Sequence, residues 1–280
     1  MKAHLAFISE HASPLAPPGS VDSGGQNVYV AQVAKCLADA GFTVDIFTRR
    51  DRADIPIVQT WLPGVRVINV PAGPACTIPK EQLLPYMEPF TDFTTRFLQH
   101  GRPCDLIHAN FFMSALVGCR LRARLNVPLV VTFHALGKVR KLHQGGSDTF
   151  PTQRIQIEKE AIDQADIVIA ECPEDYHDHV NHYQADPSKI RIVPCGFDSA
   201  ELEQQPRDVA CEYLKLDPQC FRVLQLGRMV PRKGVDDSIR AFALACKQGL
   251  KGELVIVGSD CIDRSIDSPE LRRLQAIAQE

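Results

Sequence analysis

The stretch SGGQNVYVAQVAKCLADAGFTVDIFTRR, residues 23–50, decides the fold class. Two adjacent glycines, Gly24 and Gly25, precede Val28, Val30, Val33, Ala34, Leu37 and Ala38, which fall mainly three and four residues apart and so share one face of a helix. Gly41 stops that helix, and residues 42–48 continue as a short apolar strand. Upstream, residues 3–8 form another apolar run, separated from the glycines by a long Pro/Gly/Ser loop. Strand, loop, helix and strand in that order are the unit from which parallel sheets are built.

The same rhythm runs outward from this unit. Residues 65–70, 105–108, 129–133, 167–170 and 190–194 read as strands, and 83–98, 114–125 and 152–164 as helices. After Cys195-Gly196-Phe197-Asp198 a polar stretch runs to Asp208, and the pattern then restarts with a strand at 222–226, a loop GRMVPRKG, a helix at 235–248, a strand at 254–257, a polar loop and a final helix. The expected architecture is α/β, with two Rossmann-like doubly wound parallel-sheet domains at residues 1–208 and 209–280. The second is expected to be incomplete, because a whole one needs roughly 100–150 residues. There is no short internal repeat and no low-complexity segment.

Composition narrows the function classes. The chain has 280 residues, 45% of them hydrophobic, and 31 Lys and Arg against 34 Asp and Glu give a formal charge of −3. No basic block interleaved with aromatics is present, which argues against nucleic acid as a partner. The N-terminus lacks the apolar core of a signal peptide and no apolar run reaches bilayer length, so a cytoplasmic protein without a membrane span is expected. The ten cysteines include no C-x-x-C pair and do not cluster with histidine, so they read as reduced thiols rather than disulfides or metal ligands. Cys36, Cys119 and Cys246 lie in apolar contexts where a thiol packs as a small hydrophobe. No metal site is expected, and a homo-oligomer is compatible with the sequence.

Two loops carry candidate chemistry. Gly24 and Gly25 stand between a strand and a helix N-terminus, where the backbone can approach a ligand closely and N–H groups favour an anion. A flexible turn with a helix cap accounts equally for the same residues. The loop lacks G-x-G-x-x-G, which disfavours a nicotinamide-dependent oxidoreductase or an epimerase. Arg228 and Lys233, in GRMVPRKG, follow a strand of the second domain, where a guanidinium fork and an ammonium could hold a diphosphate. A solvated basic loop is the plainer alternative for that triplet of cations.

Together these segments resemble family 4 of the retaining glycosyltransferases, a group that includes sucrose-phosphate synthases and mycothiol-type glycosyltransferases. The resemblance is carried by SGGQNVYVAQVAKCLADAGFTVDIFTRR, DLIHANFFMSA, VTFHALGKVRK and LQLGRMVPRKGVD in that order, with IVPCGFD similar to the family's interdomain signature. It implies a GT-B fold and transfer of a hexose, with retained configuration, from a nucleoside diphosphate sugar to a sugar or sugar-phosphate acceptor. The nucleotide sugar is a co-substrate. No cofactor and no metal are implied, since Arg228 and Lys233 would hold the donor diphosphate.

By the same resemblance Gly24 and Gly25 approach donor phosphate and acceptor, Gln26 and Asn27 touch the acceptor, and His134 stands beside the reacting sugar. Lys80 and Arg154 match basic residues that grip a phosphorylated acceptor in some members. Where the mycothiol-type pattern has an aromatic hydroxyl and a threonine for the acceptor phosphate, this chain has Phe111 and Ala135, which points away from inositol phosphate. The family's pair of glutamates spaced by seven residues is absent, and Glu270 and Glu280 do not have that spacing. A shortened, non-catalytic homologue that binds a sugar phosphate or a partner protein is the alternative reading.

Overall fold

The computed structural model describes residues 2–16, 24–145, 149–259 and 268–280, without the side chain of Arg232. Residues 17–23 of the Pro/Gly/Ser loop read ahead of Gly24, and 260–267 of the polar loop read ahead of the final helix, lie outside these residues. Packing divides the chain into two compact units that part after Gly196. That break falls within Cys195-Gly196-Phe197-Asp198, ahead of the polar stretch to which the sequence assigns the boundary.

The first unit is an eight-stranded sheet in the order β3-β4-β2-β1-β5-β6-β7-β8. Its strands are β1 (His4–Ile8), β2 (Thr43–Arg49), β3 (Val58–Leu62), β4 (Val65–Val70), β5 (Leu106–Asn110), β6 (Leu129–Thr132), β7 (Ile167–Ala170) and β8 (Ile190–Ile192). Every pairing is parallel except β3 with β4. The helices are α1 (Gly25–Asp39), α2 (Met87–His100), α3 (Phe112–Leu125), α4 (Gly137–Gln144), α5 (Arg154–Gln164) and α6 (Pro173–Tyr183).

Strand β1 shows why the sheet is double-sided. All five of its residues are buried, and alternate ones serve opposite faces. Leu5 and Phe7 pack with Val30 and Ala34 of α1, whereas Ala6 and Ile8 pack with the cluster that includes Phe90 of α2 and Phe112 of α3. At the N-terminal end of β1, His4 Nδ1 lies 2.9 Å from the Pro103 carbonyl and Nε2 lies 3.0 Å from Asp45, which Arg66 also holds at 2.6 Å. Both imidazole nitrogens face acceptors, so the ring fits there as a cation. Burial pushes the His4 pKa down, but the hydrogen bonds to Asp45 and Pro103 and the Asp45 charge outweigh it and raise the pKa overall.

The second unit holds α7 (Arg207–Leu214), β9 (Arg222–Leu226), α8 (Val235–Lys247), β10 (Glu253–Val257) and α9 (Pro269–Gln279). Strands β9 and β10 pair in parallel, and Val235, Ile239 and Leu274 form a small core with Met229, Leu254, Ile256 and Ile277. Leu224 and Leu226 are exposed, in contrast to the buried β1.

Candidate active site

Strand order in the first sheet reverses at β1, with β2 and β4 on one side and β5 to β8 on the other. Open parallel sheets form a crevice beyond the carboxyl ends of the two strands at such a switch point, here β1 and β5. The Gly24-Gly25 loop enters α1 at this crevice. Gln26 spans it, with Nε2 donating to Ser9 Oγ after β1 (3.3 Å) and to the Asn110 carbonyl at the end of β5 (3.2 Å). Asn27 is buried and structural: its Oδ1 accepts from the Gly24 N–H (2.9 Å) and its Nδ2 donates to the Ser13 carbonyl (2.9 Å). Gly24 and Gly25 have open space where a Cβ would project, so their backbone is the accessible surface of the loop.

His134 follows β6 and faces the same crevice. Its Nδ1 lies 3.0 Å from Glu171 Oε1 and its Nε2 lies 3.1 Å from Asn110 Oδ1, while the ring meets Tyr29 edge-on at 4.8 Å. The backbone at His134 has φ +59° and that at Phe111, after β5, has φ +85°. Non-glycine residues rarely adopt these conformations, which the surrounding packing holds and which cluster at functional sites. Burial pushes the Glu171 carboxyl up, but the hydrogen bond and charge of His134 and the thiol of Cys195 outweigh it, so Glu171 is held below the usual range and is ionised. Complete burial, with a smaller contribution from His134, drives His108 down to about 3; this ring is neutral and bonds Thr132 Oγ1 at 2.9 Å.

Asn110, Tyr29 and Glu171 are members of this cluster that sequence reasoning did not single out. Asn110 and Glu171 end strands far apart in the chain, and only the parallel register places them on either side of His134. A second carboxylate–imidazole contact lies at the end of β1, where His11 Nδ1 is 2.8 Å from Glu10 Oε1 and the His11 ring meets Phe111 edge-on. Glu10 is fully buried and also accepts from Ser114 Oγ.

Arg154 has a setting different from the surface position its surroundings in sequence suggest. It is 2% exposed, with Cζ 4.6–5.0 Å from the ring centres of Phe111, Phe112 and Phe150. Its Nε donates to Glu158 (2.7 Å) and its Nη2 to the Ala135 carbonyl, whereas Nη1 has no hydrogen-bond partner among the described residues. Glu158, fully buried, also accepts from the Gly137 N–H and from the Tyr183 hydroxyl. The structure thus gathers Phe111, Ala135 and Arg154 into one place. Lys80 is half-buried in a short 3-10 turn, Lys80–Gln82.

Arg228 and Lys233 lie in the second unit, between the end of β9 and the start of α8. The Gly227 N–H donates to the Val257 carbonyl at 3.0 Å, and a Cβ at Gly258 would sit 1.7 Å from the Gly227 oxygen, so the two strand ends touch backbone to backbone. Pro231–Lys233 makes one 3-10 turn and Gly234, at φ +61°, caps α8. Arg228 is half-buried and Lys233 exposed. Among the described residues there is no group of three His, Cys, Asp or Glu side chains placed to hold a metal ion, and no helix is long and apolar enough to cross a membrane.

The model of Glycosyltransferase Family 4 matches residues 23–201, which include the crevice loop, His134, Arg154 and Glu171. The chain belongs to this family. It is 38% identical over 279 residues to a D-inositol 3-phosphate glycosyltransferase of Acidothermus cellulolyticus, covering 97% of the chain and 62% of that relative. A protein of the same name from Actinosynnema mirum is 36% identical over 258 residues, covering 90% and 62%. The chain thus spans about three fifths of the length of these relatives. Among solved structures, sucrose-phosphate synthase from Thermosynechococcus elongatus matches with a TM-score of 0.85 and 32% identity, covering 99% of the chain and 67% of that protein. Anabaena Alr3699/HepE, at 18% identity and a TM-score of 0.65, shares the fold, covering 99% of the chain and 66% of that protein. The GT-B architecture expected from sequence is therefore that of these solved structures.

Proposed function

We propose that the chain acts as a retaining glycosyltransferase that moves a hexose from a nucleoside diphosphate sugar to a sugar or sugar-phosphate acceptor. The acceptor occupies the crevice of the first unit, and the donor diphosphate is held from the second unit by Arg228 and Lys233. The observation that carries this reading is the crevice at the β1/β5 switch point, where Gly24, Gly25, Gln26 and His134 converge in a member of Glycosyltransferase Family 4.

The physical roles follow from the side chains. Open backbone at Gly24 and Gly25 lets phosphate or sugar oxygens approach the start of α1. His134, held on both nitrogens by Glu171 and Asn110, is fixed in place beside the reacting sugar, and a preorganised group costs no reorganisation during reaction. Arg228 and Lys233 compensate the charge that grows on the departing nucleoside diphosphate. Arg154 Nη1, buried without a hydrogen-bond partner among the described residues, supports a phosphorylated acceptor, and Lys80 is the second cation assigned to it.

The test is to incubate the chain with nucleoside diphosphate hexoses and with neutral and phosphorylated hexoses, reading the product anomer by NMR. Transfer with retained configuration is expected, and Arg228→Ala and Lys233→Ala should each lower turnover about 10²–10³-fold. An inverted product, or turnover unchanged in both variants, contradicts the proposal. Hexose phosphate binding with no consumption of any donor would favour the non-catalytic reading.

A further inference from the structure

Cys172 and Cys195 stand at the carboxyl ends of the neighbouring parallel strands β7 and β8. Ala170 pairs with Ile192, and the Val193 N–H donates to the Ala170 carbonyl at 2.9 Å, so the two chains are still in register as they leave the sheet. Continued past the strand ends, that register sets Cys172 opposite Pro194, one residue before Cys195, and with strands about 4.8 Å apart and a rise of about 3.3 Å per residue the diagonal to Cys195 stays within the roughly 4.4–6.8 Å between Cα atoms that a disulfide spans. Both thiols are exposed and unpaired. Their sulfurs converge on one turn: Cys195 Sγ–H donates to Glu171 Oε1 at 3.3 Å, and Cys172, the next residue after Glu171, accepts from the Asp175 N–H at 3.4 Å as the N-cap of α6. The Glu171 N–H in turn donates to Asp175 Oδ2 at 2.9 Å, which pins this turn.

We propose that Cys172 and Cys195 form an oxidisable dithiol, a modification site for hydrogen peroxide beside the crevice. Cys172 is the sulfur attacked first. It sits at the N-terminus of α6 with the Asp175 N–H already directed at its sulfur. Its sulfur displaces hydroxide from the peroxide and becomes a sulfenic acid, the thiol proton leaving with that hydroxide as water and the peroxide being reduced. Cys195 then attacks the sulfenic sulfur, forming the S–S bond and releasing a second hydroxide. Glu171 Oε1 receives the Cys195 proton and passes it to that leaving hydroxide, so the step yields water.

Cys195 suits the second role rather than the first. Burial, followed by the hydrogen bond and charge of Glu171 and the neighbouring Cys172, pushes its thiol up to about 11, so it stays protonated until Glu171 takes the proton. The disulfide has a consequence inside the crevice, because Glu171 Oε1 is shared by His134 Nδ1 and the Cys195 thiol. Oxidation removes one of those two donors and ties residues 193–195, just before the first unit ends at Gly196, to the start of α6.

Trypsin gives a direct test, since Cys172 lies alone in the fragment 160–189 and Cys195 alone in 192–207. The native chain is treated with hydrogen peroxide, its remaining thiols are alkylated, and the digest is read by mass spectrometry. The expected result is a 160–189/192–207 cross-link as the main disulfide, reversed by dithiothreitol and lost in both C172S and C195S. In C195S and in E171Q, dimedone should instead trap the sulfenic acid on Cys172. Over-oxidation of both sulfurs without a cross-link, or Cys172 pairing as readily with another cysteine in C195S, would overturn the proposal. Wild-type disulfide formation with no trapped sulfenic acid in E171Q would remove Glu171 from the step.

Discussion

The two units follow one strand–helix grammar but differ in how many sheet faces they cover. In the first, β1 is buried on both sides, and Gln26 and His134 of the crevice are held by hydrogen-bonded neighbours. In the second, Leu224 and Leu226 of β9 are exposed, and the Arg228–Lys233 loop is shaped by backbone, through the Gly227–Val257 hydrogen bond and the Gly227–Gly258 contact. The first unit presents a preorganised wall and the second a pair of cations on a glycine-framed loop. Side-chain burial stabilises the one, and backbone geometry specifies the other.

Substitutions can break this contrast, starting where the effect is largest. Arg154→Ala leaves Glu158 buried without its charge partner and should cost about 3–5 kcal/mol in urea unfolding. R154M/E158Q, which removes both charges, should recover part of that loss; equal destabilisation of the single and double variants would mean the ion pair is not the cause. Phe7→Ala, at 1% exposure, should also cost about 3–5 kcal/mol. Leu226→Ala, at 71% exposure, should stay within about 0.5 kcal/mol. A comparable loss at both positions would abolish the distinction between the two sheets.

The next effect depends on pH. The folded pKa of His4 lies above its ordinary 6.5, so its contribution is complete below pH 6.5 and is lost as pH rises through the raised value. Asp45 has the opposite sign. Burial pushes it up, but His4 and Arg66 hold it below its ordinary value, so its contribution is present above pH 3.8 and is lost as acid brings the pH down through the lowered pKa. The wild-type melting temperature should therefore fall relative to His4→Asn as pH rises beyond 6.5, and parallel profiles would contradict the cationic assignment. The smallest effect belongs to the second unit, where Arg273 pairs with Asp236 and Glu270 at the surface. Arg273→Ala should leave the unfolding midpoint unchanged within error, because solvent screens such pairs.

Much of this architecture was legible because it rests on periodicity. The apolar run at 3–8 and the helical stripe from Val28 to Ala38 reappear as β1 and α1, and GRMVPRKG falls between β9 and α8 as its glycines suggest. The elements that escaped lack an apolar signature. β3 is an antiparallel partner of β4 with partly exposed residues, and α4 (GKVRKLHQ) and α6 (PEDYHDHVNHY) are polar along most of their length. The site was half legible. Gly24, Gly25 and His134 stood out locally or through the family resemblance, whereas Asn110, Tyr29 and Glu171 come together only once strand order is known. Arg154 could not be read as buried from its own segment, because the rings that surround it come from positions 111, 112 and 150.

The central claim, that the β1/β5 crevice receives the acceptor, is tested most directly by titrating the isotope-labelled chain with a hexose phosphate and mapping the NMR shifts. The account predicts that the amides of Gly24, Gly25 and Gln26 and the ring of His134 move together with one saturation curve. Shifts confined elsewhere, such as the groove lined by Leu84, Arg120, Gln153 and Glu160, with the crevice silent, would contradict it.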